Sequence, residues 1–227
     1  VACRVGDYEA AHRHAEEALS AATVIGSRVQ RGVALATLGR AAYGRGMYKE
    51  SRDYLRRGVA QAEEIENRWG KAFGQAYLAR TCWQLNEMAA ARFHLEQAQT
   101  IAQEIQSAWL MALVQRLRAL PNIERPGNPI SMLGIAISLS RSIRAIPLAL
   151  DALAGMASAL LEAGAHEEAA QLARCVSTDP VSEADARAAA EVVLAAAPES
   201  RTGETLSRNS AFDRAIALSA TFVPNMA

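Results

Sequence analysis

Residues 25–52 read IGSRVQRGVALATLGRAAYGRGMYKESR, and residues 65–92 read IENRWGKAFGQAYLARTCWQLNEMAAAR. The two stretches align without a gap at an offset of 40 residues, which brings Arg40 onto Arg80. A period of this size is the signature of repeat proteins, in which each unit buries its apolar side against its neighbours. We therefore predict a repeat array.

The period continues in both directions along the chain. A step of 40 places Trp109 over Trp69, and a backward step places residues 6–19 over residues 46–59. The segment at 163–176 again has the form of the glycine-containing part of the unit. We expect about four copies.

Each unit contains two segments whose apolar residues recur at spacings of three and four. This spacing predicts a pair of amphipathic helices. The expected fold class is all-α, a right-handed α-solenoid of stacked antiparallel helix pairs in 40-residue repeats. The positions that carry the pattern are Val33, Ala36, Leu38 and Ala42 in the first segment and Tyr48, Ser51, Leu55 and Val59 in the second.

The junction of the two segments resembles the tetratricopeptide repeat. The resemblance is carried by Leu38, Gly39, Tyr43, Gly46, Tyr48 and Ser51. It implies that Gly39 allows close helix packing and that Gly46 forms the turn between the helices. We assign no role to Gly44. The second copy departs from the motif conservatively, with Ala79 in place of Gly39 and Asn86 in place of Gly46.

Residues 1–180, with their 40-residue period and many Arg and Ala residues, are also similar to parts of large bacterial regulators. These are the C-terminal repeat regions of LuxR-type signal-transduction ATPases and antibiotic-regulator-type transcription factors. The similarity implies a role in signal transduction or transcription regulation. The sequence does not begin with Met and enters a helical pattern at once, so we expect a piece of a longer polypeptide.

The expected organisation has three parts. Residues 1–180 form the repeat domain, whose third copy is degenerate around 120–130, where PNIERPGNP cannot continue a helix. Residues 181–198 form a C-terminal capping helix. Residues 199–227 are a tail in which 211–219 form one short helix.

Composition disfavours several functional classes. The 24 basic and 24 acidic side chains give a net charge of zero, which argues against a nucleic-acid partner. Charged or polar residues interrupt every apolar run, so no membrane span is expected. The odd cysteine count, Cys3, Cys82 and Cys175, suits a reducing compartment, and we expect a cytoplasmic protein.

Catalytic and cofactor motifs are absent from the sequence. We find no GxxxxGK[ST], GxGxxG, GxSxG, HExxH or CxxC, and predict no enzyme activity, cofactor or metal site. His12 and His14 point in different directions on one helix, so we interpret them as exposed polar residues. His94 and His166 are interpreted as exposed or turn residues, and Cys82 as a buried apolar residue.

The remaining candidate site is the concave wall lined by the first helix of each pair. Arg40 with Tyr43, and Arg80 with Trp83, form a repeated guanidinium and aromatic pair suited to an acidic peptide with apolar side chains. The alternative is that these residues only pack the repeats together. The predicted binding residues are Arg40, Tyr43, Phe73, Arg80, Trp83, Gln84, Arg116 and Asp151.

The expected function is a non-catalytic interaction or sensor module that binds a protein, a peptide or another domain of the same polypeptide. One alternative is a small-molecule effector site controlling an attached ATPase or DNA-binding domain. A weaker one is an oligomerisation scaffold, with a homodimer as a possible partner state. We expect no direct contact with nucleic acid or membrane.

Overall fold

A computed structural model describes residues 2–123, 128–197 and 205–221. These residues form α-helices and no β-strand, and consecutive helices pack against each other. The predicted all-α, solenoid-like repeat fold is confirmed. The chain divides into two compact units, Val1–Leu110 and Met111–Ala227.

Unit 1 contains a regular series of helices, α2 to α6, each of 17 residues. Helices α2, α3, α4, α5 and α6 pack in order along the chain, and α3 also packs on α5. The last helix that starts here, α7, ends in unit 2. The bounds are α1 Ala2–Val5, α2 Tyr8–Val24, α3 Arg28–Gly44, α4 Tyr48–Glu64, α5 Arg68–Gln84, α6 Met88–Glu104 and α7 Ala108–Arg118.

The turns explain the regularity of unit 1. Residues with left-handed backbone conformation occur at positions 6, 26, 46, 66, 86 and 106, a 20-residue spacing. At Gly46 (φ 76°), its amide donates to Tyr43 O at 2.9 Å and the Met47 amide donates to Ala42 O at 2.9 Å. This hydrogen-bonded pattern ends a helix and reverses the chain. The 40-residue repeat is thus two helices of 17 residues, each followed by the same turn.

Small residues let the helices of unit 1 approach closely. Leu38 of α3 and Leu55 of α4 are almost fully buried, and a Cβ on Gly39 would lie 2.5 Å from Leu55 Cγ. A Cβ on Gly44 would overlap the ring of Tyr8 on α2. Gly44, to which the sequence assigned no role, therefore makes room for an aromatic side chain from the preceding helix.

Unit 2 begins as the same kind of series and then changes. Helices α8, α9 and α10 pack in order, and α11 packs on both α10 and α9. The last helix, α12, leaves this order and packs mainly on α8. The bounds are α8 Pro129–Ser142, α9 Ile146–Glu162, α10 His166–Thr178, α11 Ala184–Ala196 and α12 Arg208–Thr221.

Several contacts fix α12 in unit 2. Its Phe212 is fully buried, and its Arg208 donates to both carboxylate oxygens of Asp179, from Nε at 2.6 Å and from Nη2 at 2.8 Å. On the α8 side, Gly134 leaves the space that Ser219 occupies. The C-terminal helix is therefore a packed part of unit 2.

The segment predicted to break the third repeat, around 120–130, ends where α8 begins at Pro129. Asn128 caps this helix, because its side-chain oxygen accepts hydrogen bonds from the amides of Ile130 and Ser131. Residues 124–127 of the predicted loop lie outside the described residues, as do 199–204 and 222–227 of the predicted tail. Within residues 2–123, 128–197 and 205–221, no helix combines the length and apolar character needed to cross a membrane.

Candidate interaction surface

The adjacent sides of α3 and α5 form the most distinctive surface of unit 1. Successive positions three and four residues apart lie on one side of a helix, so each helix contributes a row of side chains. We call this surface the aromatic face. It consists of Val29, Val33, Arg40 and Tyr43 of α3 and Trp69, Phe73, Tyr77, Arg80 and Gln84 of α5.

A row of aromatic rings runs along α5. Phe73 stacks on Trp69 with ring centres 5.2 Å apart, and its centre lies 4.6 Å from that of Tyr77. Trp109, at the start of α7, adds a fourth ring 5.6 Å from Trp69. Trp69 keeps 45% of its surface exposed. The row thus offers apolar area to a partner while its rings hold one another in place.

Two arginines cross between the helices and cover aromatic rings. The guanidinium carbon of Arg80 lies 4.2 Å from the centre of the Tyr43 ring, and that of Arg40 lies 5.3 Å from the centre of Tyr77. Gln84 Nε2 donates to the Tyr43 hydroxyl at 3.1 Å. The two distances from guanidinium carbon to ring centre are within the range of cation–π attraction. Each arginine therefore contacts a ring of the neighbouring helix.

A groove of about 280 Å³ opens between α3 and α5 on the aromatic face. Its sides are Val29 and Val33 from one helix and Trp69 and Phe73 from the other. Val29 and Val33 are 57% and 63% exposed, which is unusual for valine in a helix pair. The glycines among its lining residues are Gly32, Gly58, Gly70 and Gly74, and Arg40 also borders it.

The formal charges of the two helices have one sign. Neither α3 nor α5 contains Asp or Glu. Two of their cations are neutralised by other helices, since Arg68 pairs with Glu104 and Lys71 Nζ lies 2.7 Å from Glu63 Oε1. The charged side chains on the aromatic face itself are Arg40 and Arg80. An anionic partner therefore meets no carboxylate of α3 or α5 there.

The predicted binding residues fall into two groups. Those of α3 and α5 lie together in unit 1, with Trp83 half-buried on α5. Arg116 and Asp151 lie in unit 2 and contact each other. Arg116 Nε donates to the Asp151 carbonyl at 3.1 Å and lies 3.2 Å from Oδ2 of its carboxylate. This ion pair joins α7 to α9.

Trp69, Tyr77 and Val29 belong to this surface but were not among the predicted binding residues. Their spacing contained the signal, because Trp69, Phe73 and Tyr77 are four residues apart and so share one side of a helix. Val29 is the residue that the 40-residue offset pairs with Trp69.

Two histidine interpretations were wrong. The side chain of His12 is only 12% exposed and lies 3.5 Å from Glu16 and 3.6 Å from Glu50. His94 is half-buried, and its Nδ1 donates to Gln75 Oε1 at 2.6 Å. Glu50 of α4 and Gln75 of α5 come from other helices, and a single-helix pattern does not reveal such contacts.

Titratable groups elsewhere fit structural roles. Burial lowers the pKa of His94 and raises that of Cys82, which is fully buried as predicted. Burial also raises the pKa of Cys175 to about 11. Within the described part of the chain, no three His, Cys, Asp or Glu residues are grouped as a metal site would require.

No protein-family model matches the chain, and no curated protein matches it.

Proposed function

We propose that this protein is a non-catalytic interaction module that binds a protein or peptide segment through the aromatic face. The observation that carries the proposal is the combination of partly exposed rings on α5 with Arg40 and Arg80 laid across Tyr77 and Tyr43. Aromatic residues and arginine are the side chains that most often dominate binding energy at protein interfaces. Their mutual contacts reduce the entropy lost on binding.

The family relationship belongs to the same proposal. The Leu38–Gly39 pair and the Gly46 turn resemble the tetratricopeptide repeat, and the 20-residue spacing of turns supports a stack of helix hairpins. In such stacks the first helices of the pairs line the binding surface, and α3 and α5 hold that position here. We propose a cytoplasmic role inside a bacterial regulator, without direct contact to nucleic acid or membrane.

The experiment measures fluorescence anisotropy of labelled acidic peptides that carry one large apolar residue. Trp69→Ala and Arg80→Ala each reduce affinity by about tenfold, the loss of one interface anchor. Phe93→Ala and Arg57→Ala are matched controls. Phe93 is an exposed ring on α6, and Arg57 on α4 also lies over a tyrosine, at 5.9 Å from Tyr54. Equal losses in all four variants, or none, contradict the proposal.

A small-molecule effector is the second candidate, favoured by the groove between α3 and α5. Effector sites usually enclose about 300–1,000 Å³, and the groove volume of about 280 Å³ lies just below that range. An effector would bind without dependence on peptide length. Truncating the peptides to the central residue therefore separates the two, since a peptide site loses affinity and an effector site keeps it.

An oligomerisation scaffold, including a homodimer, is the third and weakest candidate. It predicts that mass measured by light scattering rises with protein concentration. It also predicts no effect of Arg40→Ala or Arg80→Ala on peptide binding.

A further inference from the structure

We infer that the groove between α3 and α5 is a pocket for one large apolar side chain of an acidic peptide segment. The inference rests on the proposed function and specifies which part of the partner is recognised. It follows from the lining of the groove, its size and the charges around it.

The two sides of the groove are apolar, and the space between them is not filled by a side chain at Gly32. Val33 and Trp69 form opposing sides, and Gly32 contributes no side chain. A Cβ built on Gly32 would have its nearest neighbour, Gln61 Cγ, at 3.7 Å, so packing does not require glycine there. Alanine is a better helix former than glycine in a helix interior. The open space is therefore not a consequence of close helix packing at this position.

The size suits one side chain. The groove holds about 280 Å³, less than most sites for whole small ligands. Its exposed valines and Trp69 remain in contact with water unless a partner covers them. A leucine or aromatic side chain placed between them removes apolar surface from water on both partners.

The charge identifies the rest of the partner. Arg40 borders the groove, Arg80 follows on the same face, and neither α3 nor α5 contains a carboxylate. Acidic residues flanking the apolar side chain are therefore attracted to Arg40 and Arg80, whereas basic flanks are repelled by them. This complementarity selects an acidic segment over a neutral or basic one.

The test compares two labelled peptides, Glu-Asp-Leu-Glu-Asp and Glu-Asp-Ala-Glu-Asp, on the full 227-residue chain. For the wild type, the Leu peptide binds about tenfold more tightly than the Ala peptide, as expected for burial of a leucine side chain. In Gly32→Leu the new side chain occupies the groove, and the affinity ratio falls to about one. Arg80→Ala weakens both peptides by the same factor and keeps the ratio.

Gly32→Ala is the second variant, because its added methyl meets no close neighbour and the fold is retained. Partial filling by one carbon lowers the ratio about fourfold. If circular dichroism shows that Gly32→Leu does not fold, the affinity ratio of Gly32→Ala tests the pocket instead.

The remaining outcomes of these binding measurements contradict either the pocket alone or the proposed function as well. An unchanged ratio in the Gly32 variants, with binding still sensitive to Trp69→Ala, overturns the pocket and leaves the proposed function standing. Peptide binding that is absent, or indifferent to Trp69→Ala and Arg80→Ala, overturns both. If the wild type self-associates and Gly32→Leu abolishes this, the occupant of the groove is a second copy of the chain and not an acidic peptide.

Discussion

The guanidinium carbon of Arg80 lies 4.2 Å from the centre of the Tyr43 ring, which belongs to the preceding helix of the same face. Arg40 makes the corresponding contact in the opposite direction, onto Tyr77 of α5. The two arginines therefore link α3 and α5 to each other as well as presenting charge. These contacts correspond to packing between repeats, one of the two interpretations that the sequence left open, and recognition of an acidic partner is what we propose in addition.

The Arg80–Tyr43 contact is expected to stabilise unit 1 by about 0.5–1 kcal/mol, the usual value for a partly exposed cation–π pair. The measurement is a double-mutant cycle of Arg80→Ala and Tyr43→Leu, with the free energy of unfolding determined in urea. The Arg57–Tyr54 pair, at 5.9 Å, is the control and gives a smaller coupling. Equal coupling energies in the two pairs contradict a stabilising cation–π contact between Arg80 and Tyr43.

Gly39→Ala and Gly32→Ala change stability in opposite directions. At Gly39 a Cβ would lie 2.5 Å from Leu55 Cγ, so the helices are forced apart and stability falls by about 1–3 kcal/mol. At Gly32 nothing lies closer than 3.7 Å, so better helix propensity raises stability by about 0.5–1 kcal/mol. Thermal unfolding of the two variants checks both signs. A gain in melting temperature for Gly39→Ala shows that α3 and α4 are packed more loosely than described.

Asp179→Asn loosens α12. Asp179 is buried and accepts two hydrogen bonds from Arg208, and removing its charge costs about 1–3 kcal/mol. The measurement is hydrogen exchange of the backbone amides in the variant and the wild type. The expected result is that the variant accelerates exchange in α12 more than in α9. Asp213→Asn is the control, because that carboxylate is 68% exposed and its ion pair with Arg141 contributes little. Unchanged exchange in α12 would rule out a docking role for Arg208.

The same carboxylate gives α12 a defined pH dependence. The hydrogen bond from Arg208, more than any other effect, holds the pKa of Asp179 below its ordinary value of 3.8. A lowered folded-state pKa means that the stabilisation is present above pH 3.8 and is lost as pH falls through the folded-state value.

His94 makes unit 1 less stable in mild acid. Burial is the largest cause that lowers the pKa of His94 below 6.5, and the charge of Arg56 acts in the same direction. The unfolded chain therefore binds a proton more readily than the folded one, so stability falls as pH drops below about 6.5. Urea unfolding between pH 7.5 and 5 is the measurement. His94→Gln reduces the dependence of the free energy of unfolding on pH. His166→Gln, at an exposed position, is the control. A wild-type curve that rises towards pH 5 reverses the expected sign.

Helix positions could be read from the sequence because they depend on local signals. The offset of 40 between Arg40 and Arg80, the glycine at 46 and the spacing of apolar residues all act within one hairpin. The structure places a turn at Gly46 and begins the next helix at Tyr48. At Glu66 and Gln106 the same turn occurs without glycine, with φ of 54° and 50°. The position in the repeat fixes the conformation there, although side chains disfavour it.

Contacts between helices could not be read in this way. The sequence placed Arg80 with Trp83 and Arg40 with Tyr43 because those residues are neighbours on one helix, whereas the structure lays each arginine over a ring of the other helix. The position of α12 on α8 is of the same kind, since it depends on Asp179 and Gly134, which are distant in the chain.

The sequence by itself determined that this protein is a series of helical hairpins, since hydrophobic periodicity and turn residues specify a helix through interactions within a few positions. Only the tertiary structure decided which arginine covers which ring, where a groove opens between α3 and α5, and where α12 docks. Those features depend on the distance and axial offset between packed helices, which arise from the fit of many side chains at once.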